Sequence, residues 1–246
     1  MEPEKILSSL EKDAELVSPR IREWWLNYLH EQHQRYLDIL AFLIETGSGG
    51  EILEIGSVPA HLTVLLKKLG YSVRGVDIDP ERVRGICRRY SLDIAEVDIE
   101  TQELPFPDDS FNTVLFTDML EHLRINPVFT LRQIYRVLQE GGKIILSTPN
   151  ITPAQRFRFF LYGDSYQDNL AEELKKLQTV GHMGHFRLYI LSEVRQLLES
   201  VGFRMGIFTY KGGMKRLSRR QDRLLYWVHP RKERFRETLY VAAQKV

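Results

Sequence analysis

The chain has 246 residues, 43% of them hydrophobic, and a formal net charge of +1 at pH 7, which is enough apolar material to bury one large core. No apolar stretch approaches the roughly 20 residues that cross a bilayer, and the N-terminus is too charged for a signal peptide, so we expect no transmembrane segment and a cytoplasmic location. The single cysteine, Cys87, excludes a disulfide framework within the chain and is expected to be a packed thiol.

The first predicted element is an N-terminal helical cap over residues 1–48, followed by the main domain over residues 49–246. Apolar side chains repeat at helical spacing from Ile21 to Ile44, and the flexible sequence TGSGG ends the pattern. Trp24 and Trp25 lie in this stripe, where aromatic residues are more typical of a packed core than of a substrate contact.

The segment from Glu51 to Pro80 predicts a strand, a tight turn, a helix and a second strand that ends at Asp77. EILEI is an apolar run typical of a strand buried on both faces, and Gly56 permits the turn after it. In a doubly wound sheet, an acidic residue at the place of Asp77 reaches the hydroxyls of a bound ribose. Pro59 lacks an amide donor and Val58 blocks close approach to the backbone, so the turn favours a nucleoside without phosphate, such as S-adenosyl-L-methionine.

Further motifs follow in chain order. AEVDIETQELPFPDDSFNTVLF contains Asp98, FNTVLFTDMLEHL predicts a fourth strand and a loop, and LRQIYRVLQEGGKIILSTPN predicts a helix, a glycine turn and a fifth strand. This series resembles the class I S-adenosylmethionine-dependent methyltransferases from about Glu51 to Asn150 and again from Gly184. The resemblance implies a Rossmann-like, doubly wound α/β sheet of seven strands in the order 3-2-1-4-5-7-6, with the last strand antiparallel. In the family's glycine turn, Val58 and Ala60 replace the second and third glycines.

The resemblance also implies which residues bind S-adenosyl-L-methionine. Asp77 would take the ribose hydroxyls and Asp98 the adenine amino group, although both could be ordinary turn or capping acids. Glu54 and Thr117 belong near the methionine end, and Glu54 could instead cap a helix. The expected cofactor-binding residues are Glu54, Gly56, Ser57, Asp77, Ile78, Asp98, Ile99 and Thr117.

The loop TDMLEHL carries the candidate catalytic groups. If residues 118–122 turn helically, Asp118, Glu121 and His122 share one face. His122 is the candidate general base, because the imidazole pKa of about 6.5 suits proton removal at neutral pH, and Glu121 or Asp118 would orient it. His185 completes the catalytic candidates. Alternatively, Glu121 and His122 cap the loop and hold the cofactor without proton transfer.

The same loop is similar to the acidic-x-x-Glu-His loop of metal-dependent O-methyltransferases that act in ubiquinone biosynthesis and on small-RNA terminal riboses. That resemblance implies a divalent metal held by Asp118, Glu121, His122 and His185. Glu-His loops also occur in methyltransferases that use no metal. A further alternative is that His182 and His185 contact the substrate from a mobile lid between Gly181 and Gly184.

Two insertions are predicted, over residues 151–189 and 211–236. The first follows the fifth strand, where loops build substrate sites, and contains a helix capped by Asp168. The second holds ten of the 34 Lys and Arg residues but two of the 33 Asp and Glu residues, interleaved with apolar side chains such as Leu217 and Trp227. It suits a phosphate-bearing substrate, an anionic membrane surface or RNA, or forms a solvated helix packed on the core.

These features together predict an O-methyltransferase that acts on a small-molecule or glycan-like hydroxyl. One alternative is ribose methylation of RNA, with the basic segment 211–236 contacting phosphates. The other is a methyltransferase-like binding protein whose altered glycine turn no longer holds the cofactor.

Overall fold

The computed structural model describes residues 2–165, 167, 169–180, 184–214 and 219–246. Its strands are β1 Glu51–Ile55, β2 Ser72–Asp77, β3 Ile94–Glu96, β4 Phe111–Thr117, β5 Leu138–Pro149, β6 Phe203–Lys211 and β7 Thr238–Lys245. They form one sheet in the order β3-β2-β1-β4-β5-β7-β6. The first five strands pair in parallel, and β7 is antiparallel to both β5 and β6. The predicted Rossmann-like order and the antiparallel last strand are confirmed.

Helices cover both faces of the sheet. The α-helices are α1 Pro3–Ser9, α2 Pro19–Glu45, α3 His61–Lys68, α4 Arg84–Tyr90, α5 Pro127–Val137, α6 Pro153–Tyr162, α7 Leu170–Val180, α8 Leu191–Ser200 and α9 Arg220–Val228. Short 3-10 helices span Leu10–Leu16, Pro80–Val83, Leu120–His122 and Lys232–Phe235. No helix among these described segments has both the length and the apolar content that crossing a membrane requires.

Two buried clusters lie on opposite faces of the sheet. Ile52 belongs to the cluster that contains α1 to α4, whereas its neighbour Leu53 belongs to the cluster that contains α5 and α8. Successive residues of a strand point to opposite faces, so a strand with helices on both sides has no solvated face. This explains why β1 is an apolar run rather than an alternating one.

The N-terminal helices share a core with the main sheet. Trp25 is fully buried, and its Nε1 donates a hydrogen bond to the Pro59 carbonyl at 3.0 Å. Trp24 is 36% exposed and lies against the Arg82 guanidinium, 4.9 Å from its ring centre. Trp25 is therefore a core residue that also holds the turn after β1. The half-buried Cys87 packs against the same cluster, as expected for a packed thiol.

Some local predictions differ from the structure. The glycine turn expected between α5 and β5 lies inside β5, where the register with β4 shifts between Phe111 and Thr113 and Gly141 has a φ of +76°. The insertion 151–189 contains α6 and α7, and the basic segment 211–236 contains α9. Residues predicted as a helix cap, a lid and an apolar contact lie outside the described residues: Asp168, Gly181, His182 and Leu217.

Candidate active site

A cavity of about 380 Å³ opens at the carboxyl ends of β1, β2 and β4, and α2 covers it. This edge is where doubly wound sheets bind their ligands. The cavity is lined by all eight residues expected to bind a cofactor: Glu54, Gly56, Ser57, Asp77, Ile78, Asp98, Ile99 and Thr117. The apolar Ile78 is 62% exposed at its edge, which suits a position that a flat base covers. The tertiary structure thus brings side chains from four strand ends to one place.

The turn after β1 keeps its shape although only its first glycine remains. Gly56 has a φ of +77°, and a Cβ there would lie 2.4 Å from the Met119 sulfur, so this position requires glycine. Ala60, which takes the place of the third glycine, has a φ of +71°. A left-handed alanine costs about 1 kcal/mol, which the surrounding contacts can offset. The cavity beside the turn therefore survives the loss of two glycines.

Asp77 and Asp98 both act as turn acids and also line the cavity. The Asp77 carboxylate accepts hydrogen bonds from the amides of Val58 at 2.9 Å and Asp79 at 3.0 Å, and burial raises its pKa. The Asp98 carboxylate accepts hydrogen bonds from the Glu100 amide and the Thr101 hydroxyl. Each carboxylate oxygen has a second lone pair for a ligand donor. Asp98 lies two residues beyond β3.

Glu54 joins β1 to α3 from inside the cavity wall. The side chain is 4% exposed and accepts a hydrogen bond from the Thr63 hydroxyl at 2.6 Å. Burial raises the pKa of Glu54 to about 8, although the Thr63 hydrogen bond opposes the shift. Glu54 therefore bonds to a side chain of α3 rather than capping its amides. A cationic ligand group beside it would favour the charged carboxylate.

Arg35 is a cavity residue that the sequence pattern did not single out. Its guanidinium forms an ion pair with Asp118 and donates a hydrogen bond to the Tyr28 hydroxyl at 2.9 Å. Burial by itself lowers the pKa of Arg35, but Asp118, Tyr28 and Tyr36 raise it, and the net pKa lies above its ordinary value. The only signal in the sequence is a cation within the aromatic stripe of α2, seven residues after Tyr28.

The loop after β4 holds Asp118 and Glu121 in different environments. Asp118 has a φ of +51° and precedes the 3-10 helix Leu120–His122, so the helical turn predicted over residues 118–122 is wrong at its first residue. Asp118 accepts a hydrogen bond from the Ser147 hydroxyl at 2.7 Å. Glu121 is fully buried and accepts one from Thr148 at 2.9 Å. Burial, and then Asp118, raise the pKa of Glu121 well above its usual range.

His122 faces the carbonyl of Gly184, with its Nδ1 at 2.7 Å from that oxygen. A carbonyl oxygen only accepts hydrogen bonds, so Nδ1 carries the proton and Nε2 is the basic nitrogen of the neutral ring. His122 also lines the cofactor cavity. The contact with Gly184 thus sets the tautomer that a general base at Nε2 requires.

Glu121, His122 and His185 form one cluster, with ligand atoms all within 4.8 Å of one another. The amides of Phe186 and Arg187 donate to the Glu121 carbonyl and hold this segment against the loop. Two imidazoles and a carboxylate suit a divalent transition metal, and within the described residues the Glu121 Oε1 has no hydrogen-bond partner. These three residues fit a metal. Asp118, the fourth predicted ligand, is outside the cluster because it pairs with Arg35.

Comparison with known proteins identifies a family and individual relatives that this chain resembles. A family model described as a methyltransferase domain matches residues 28–205. The ubiquinone biosynthesis O-methyltransferase of Xanthomonas euvesicatoria pv. vesicatoria is 31% identical over 169 residues, which cover 65% of this chain and 67% of that protein. The protein of that name from Xanthomonas oryzae pv. oryzae is 30% identical over a stretch of the same length, with the same coverage.

Solved structures agree at the level of the fold. An S-adenosylmethionine-dependent methyltransferase from Thermotoga maritima, described as a possible histamine N-methyltransferase, superimposes with a TM-score of 0.60 at 18% identity and covers 92% of this chain and 97% of its own. An S-adenosylmethionine-dependent methyltransferase from Archaeoglobus fulgidus superimposes with a TM-score of 0.59 at 17% identity, and the match covers 89% of this chain and 99% of that protein. With a family match over more than half of its length, this chain belongs to the class I S-adenosyl-L-methionine-dependent methyltransferases.

Proposed function

We propose that this methyltransferase methylates a hydroxyl oxygen of a small molecule, with His122 as the general base. The observation that carries the proposal is the Nδ1 contact of His122 with the Gly184 carbonyl, because it leaves Nε2 basic beside the cofactor cavity. The names of the two Xanthomonas relatives support oxygen as the acceptor atom. Proton removal from a hydroxyl needs a positioned base of this kind.

The residues of the chain have two tasks in this reaction. Bound S-adenosyl-L-methionine supplies a methyl group on a sulfonium whose leaving group is already activated. The cavity walls hold the acceptor hydroxyl in line, and His122 Nε2 takes its proton. Burial, and then Asp118, raise the pKa of Glu121, a shift that favours its neutral form beside the developing alkoxide. The His185 ring lies beside the His122 ring, with 5.0 Å between the ring centroids.

A divalent cation is the second way to activate the hydroxyl with the same cluster. Glu121, His122 and His185 would hold it through one carboxylate and two imidazoles, and the cation would lower the pKa of a bound hydroxyl. Prolonged chelation followed by an assay of methyl transfer separates the two routes. Full activity after chelation supports His122 as the base, whereas recovery only on adding Mg²⁺ or Mn²⁺ supports the metal.

Apolar surface near the basic segment favours contact with an anionic membrane over contact with RNA. α6 and α9 are joined by the ion pair of Arg158 with the fully buried Asp222, at 3.7 Å. The two helices nevertheless leave Phe160 83%, Trp227 75% and Leu224 64% exposed. Large apolar side chains among cations are typical of helices that lie in a membrane interface. We therefore place the acceptor among small molecules that reach the enzyme at such a surface.

Sedimentation with vesicles tests that location. Vesicles that contain phosphatidylglycerol should retain the chain, and Trp227→Ala with Leu224→Ala should weaken retention, whereas Leu16→Ala, an exposed leucine of the cap, should not. If phosphatidylcholine vesicles, which carry no net charge, retain the chain equally well, then the arginines do not contribute to membrane binding. Binding to RNA with a steep dependence on salt would favour ribose methylation instead.

Two measurements test the methylation itself. Calorimetry should show binding of both S-adenosyl-L-methionine and its demethylated product, since a catalyst binds both and a scaffold neither. Isotope-labelled cofactor should then transfer its methyl group to small-molecule hydroxyls in preference to amines or RNA. Cofactor binding with transfer only to an amine or a carbon would overturn the proposed acceptor atom.

A further inference from the structure

A second cavity, of about 300 Å³, lies on the other side of the segment that carries His185. This segment contacts the Glu121 carbonyl through Phe186 and then bridges from Tyr189 to Asn150 at the cavity wall. The polar residues that line the cavity are Asn150, Arg156, Ser192, Arg195, Tyr210 and Arg234. No carboxylate is among the residues found to line it, so its charged groups are all positive.

Three arginines from separate elements meet at this cavity. Arg156 lies on α6, Arg195 on α8, and Arg234 on the 3-10 helix Lys232–Phe235. Within the described ranges, none of their guanidinium groups makes an ion pair or a side-chain hydrogen bond. Neighbouring arginines do: Arg158 pairs with Asp222, and Arg187 with Glu193. Like charges around one cavity repel each other unless an anion lies between them.

Asn150, which is 5% exposed, lies in the cavity wall. The Asn150 amide donates to the carbonyls of Arg234 and Arg236, both at 2.8 Å, and so fixes the backbone that carries Arg234. Tyr210 is 8% exposed, and its hydroxyl makes no hydrogen bond within the part of the chain described. Ser192 lies in the first turn of α8, where the Glu193 carboxylate accepts a hydrogen bond from the Ile190 amide at 3.0 Å. The wall therefore offers guanidinium and hydroxyl donors together.

We propose that this cavity binds the phosphate group of an organic phosphate. Guanidinium groups bind phosphate through paired hydrogen bonds, and one phosphate presents enough oxygens for several arginines at once. A carboxylate presents two acceptor oxygens, fewer than a phosphate. The cavity is larger than a phosphate ion, and Ile151, Pro153 and Leu191 supply apolar wall for the organic part. In this proposal Arg234, which belongs to the basic segment 211–236, binds one specific phosphate group and does not only add to the general positive charge of that segment.

Calorimetry on the full chain tests this site with glycerol 3-phosphate and pyrophosphate as probes at low salt. Arg195→Gln and Arg234→Gln should each weaken binding about tenfold or more, because each removes charge-assisted hydrogen bonds. Arg132→Gln is the matched control, because this exposed arginine of α5 lies outside the cavity. If the double variant Arg195→Gln with Arg234→Gln binds the probes as tightly as the unchanged chain, the proposal is overturned. It is also overturned if the unchanged chain binds none of the phosphate probes and no phosphate-bearing vesicle.

The source of the phosphate is decided by a parallel series with phosphatidic acid vesicles. Binding of glycerol 3-phosphate that depends on the arginines identifies a soluble phosphate, and arginine-dependent binding of vesicles alone identifies a lipid headgroup. If the arginine variants bind phosphatidic acid vesicles as tightly as the unchanged chain, the vesicles do not bind at this cavity, which contradicts the proposal. Affinity for S-adenosyl-L-methionine should stay unchanged in the variants, which shows that they are folded. Because no readout here requires methyl transfer, failure of this proposal is distinguishable from failure of the proposed function.

Discussion

The two sides of the crevice are built from contacts of different range. On the cofactor side, Asp77 bonds to the Asp79 amide and Asp98 to the Glu100 amide, each two residues away. On the acceptor side, Glu121 bonds to Thr148, and His122 to Gly184, 62 residues along the chain. The Asp77 contacts, including that with the Val58 amide 19 residues away, lie within one strand-turn-helix-strand segment. The acceptor side is assembled from segments further apart along the chain, although His122 also lines the first cavity.

The largest effect that this comparison predicts is the loss of turnover in His122→Ala. Removal of a general base should reduce methyl transfer by about 10² or more, because no other group then takes the hydroxyl proton. Affinity for S-adenosyl-L-methionine, measured by calorimetry, should change little. His30→Ala, at an exposed position of α2, is the control. A large loss of cofactor affinity in His122→Ala would break the division between the two sides.

Asp77→Ala should show the opposite pattern. We expect the dissociation constant of S-adenosyl-L-methionine to rise about tenfold, because hydrogen bonds from the ligand to a charged acceptor are lost. Turnover at saturating cofactor should remain close to that of the unchanged enzyme. The control is Asp79→Ala, an exposed acid two residues further on that does not line the cavity. Equal effects of the two substitutions would assign Asp77 to the turn alone.

Because Glu54 is buried, we expect the free energy of unfolding of the chain to fall as pH rises. Burial raises the pKa of Glu54 from 4.5 to about 8, so between these values the folded chain binds more protons than the unfolded chain. The stabilising contribution is complete below pH 4.5 and is lost as pH rises through 8, with a limiting slope of about 1 kcal/mol per pH unit. Glu54→Gln should flatten the dependence of the unfolding free energy on pH, measured by denaturant titration. The exposed Glu51→Gln on the same strand should leave it unchanged, and equal slopes in both variants would contradict the assignment.

The smallest effect concerns the left-handed Ala60. Ala60→Gly should change the unfolding free energy by less than about 0.5 kcal/mol, since relief of the backbone cost offsets the added entropy of the unfolded chain and the loss of a fully buried methyl group. Ala41→Gly, at an exposed position within α2, should lower it by about 0.5 to 1 kcal/mol. Thermal melting measures both changes. If Ala60→Gly destabilises as much as Ala41→Gly, the turn does not require a left-handed residue.

Patterns within short segments were sufficient for the first half of the fold. The apolar run of β1, the leucines of α3 and the position of Asp77 each follow from steric and burial rules that act over a few residues. The order of the strands came from resemblance, since no local rule chooses it. The same local rules failed where tertiary contacts override them, as at Asp118, whose left-handed backbone places its carboxylate beside Arg35.

The primary structure was therefore enough to predict the methyltransferase sheet through resemblance and to single out Asp77, Asp98 and the Glu121-His122 pair as site candidates. It could not show that Arg35 neutralises Asp118, that Gly184 selects the His122 tautomer, or that three arginines from α6, α8 and the basic segment share a cavity. These contacts join residues far apart along the chain. Their distances are set by the packing of whole helices on the sheet, and side-chain spacing in the sequence carries no record of that packing.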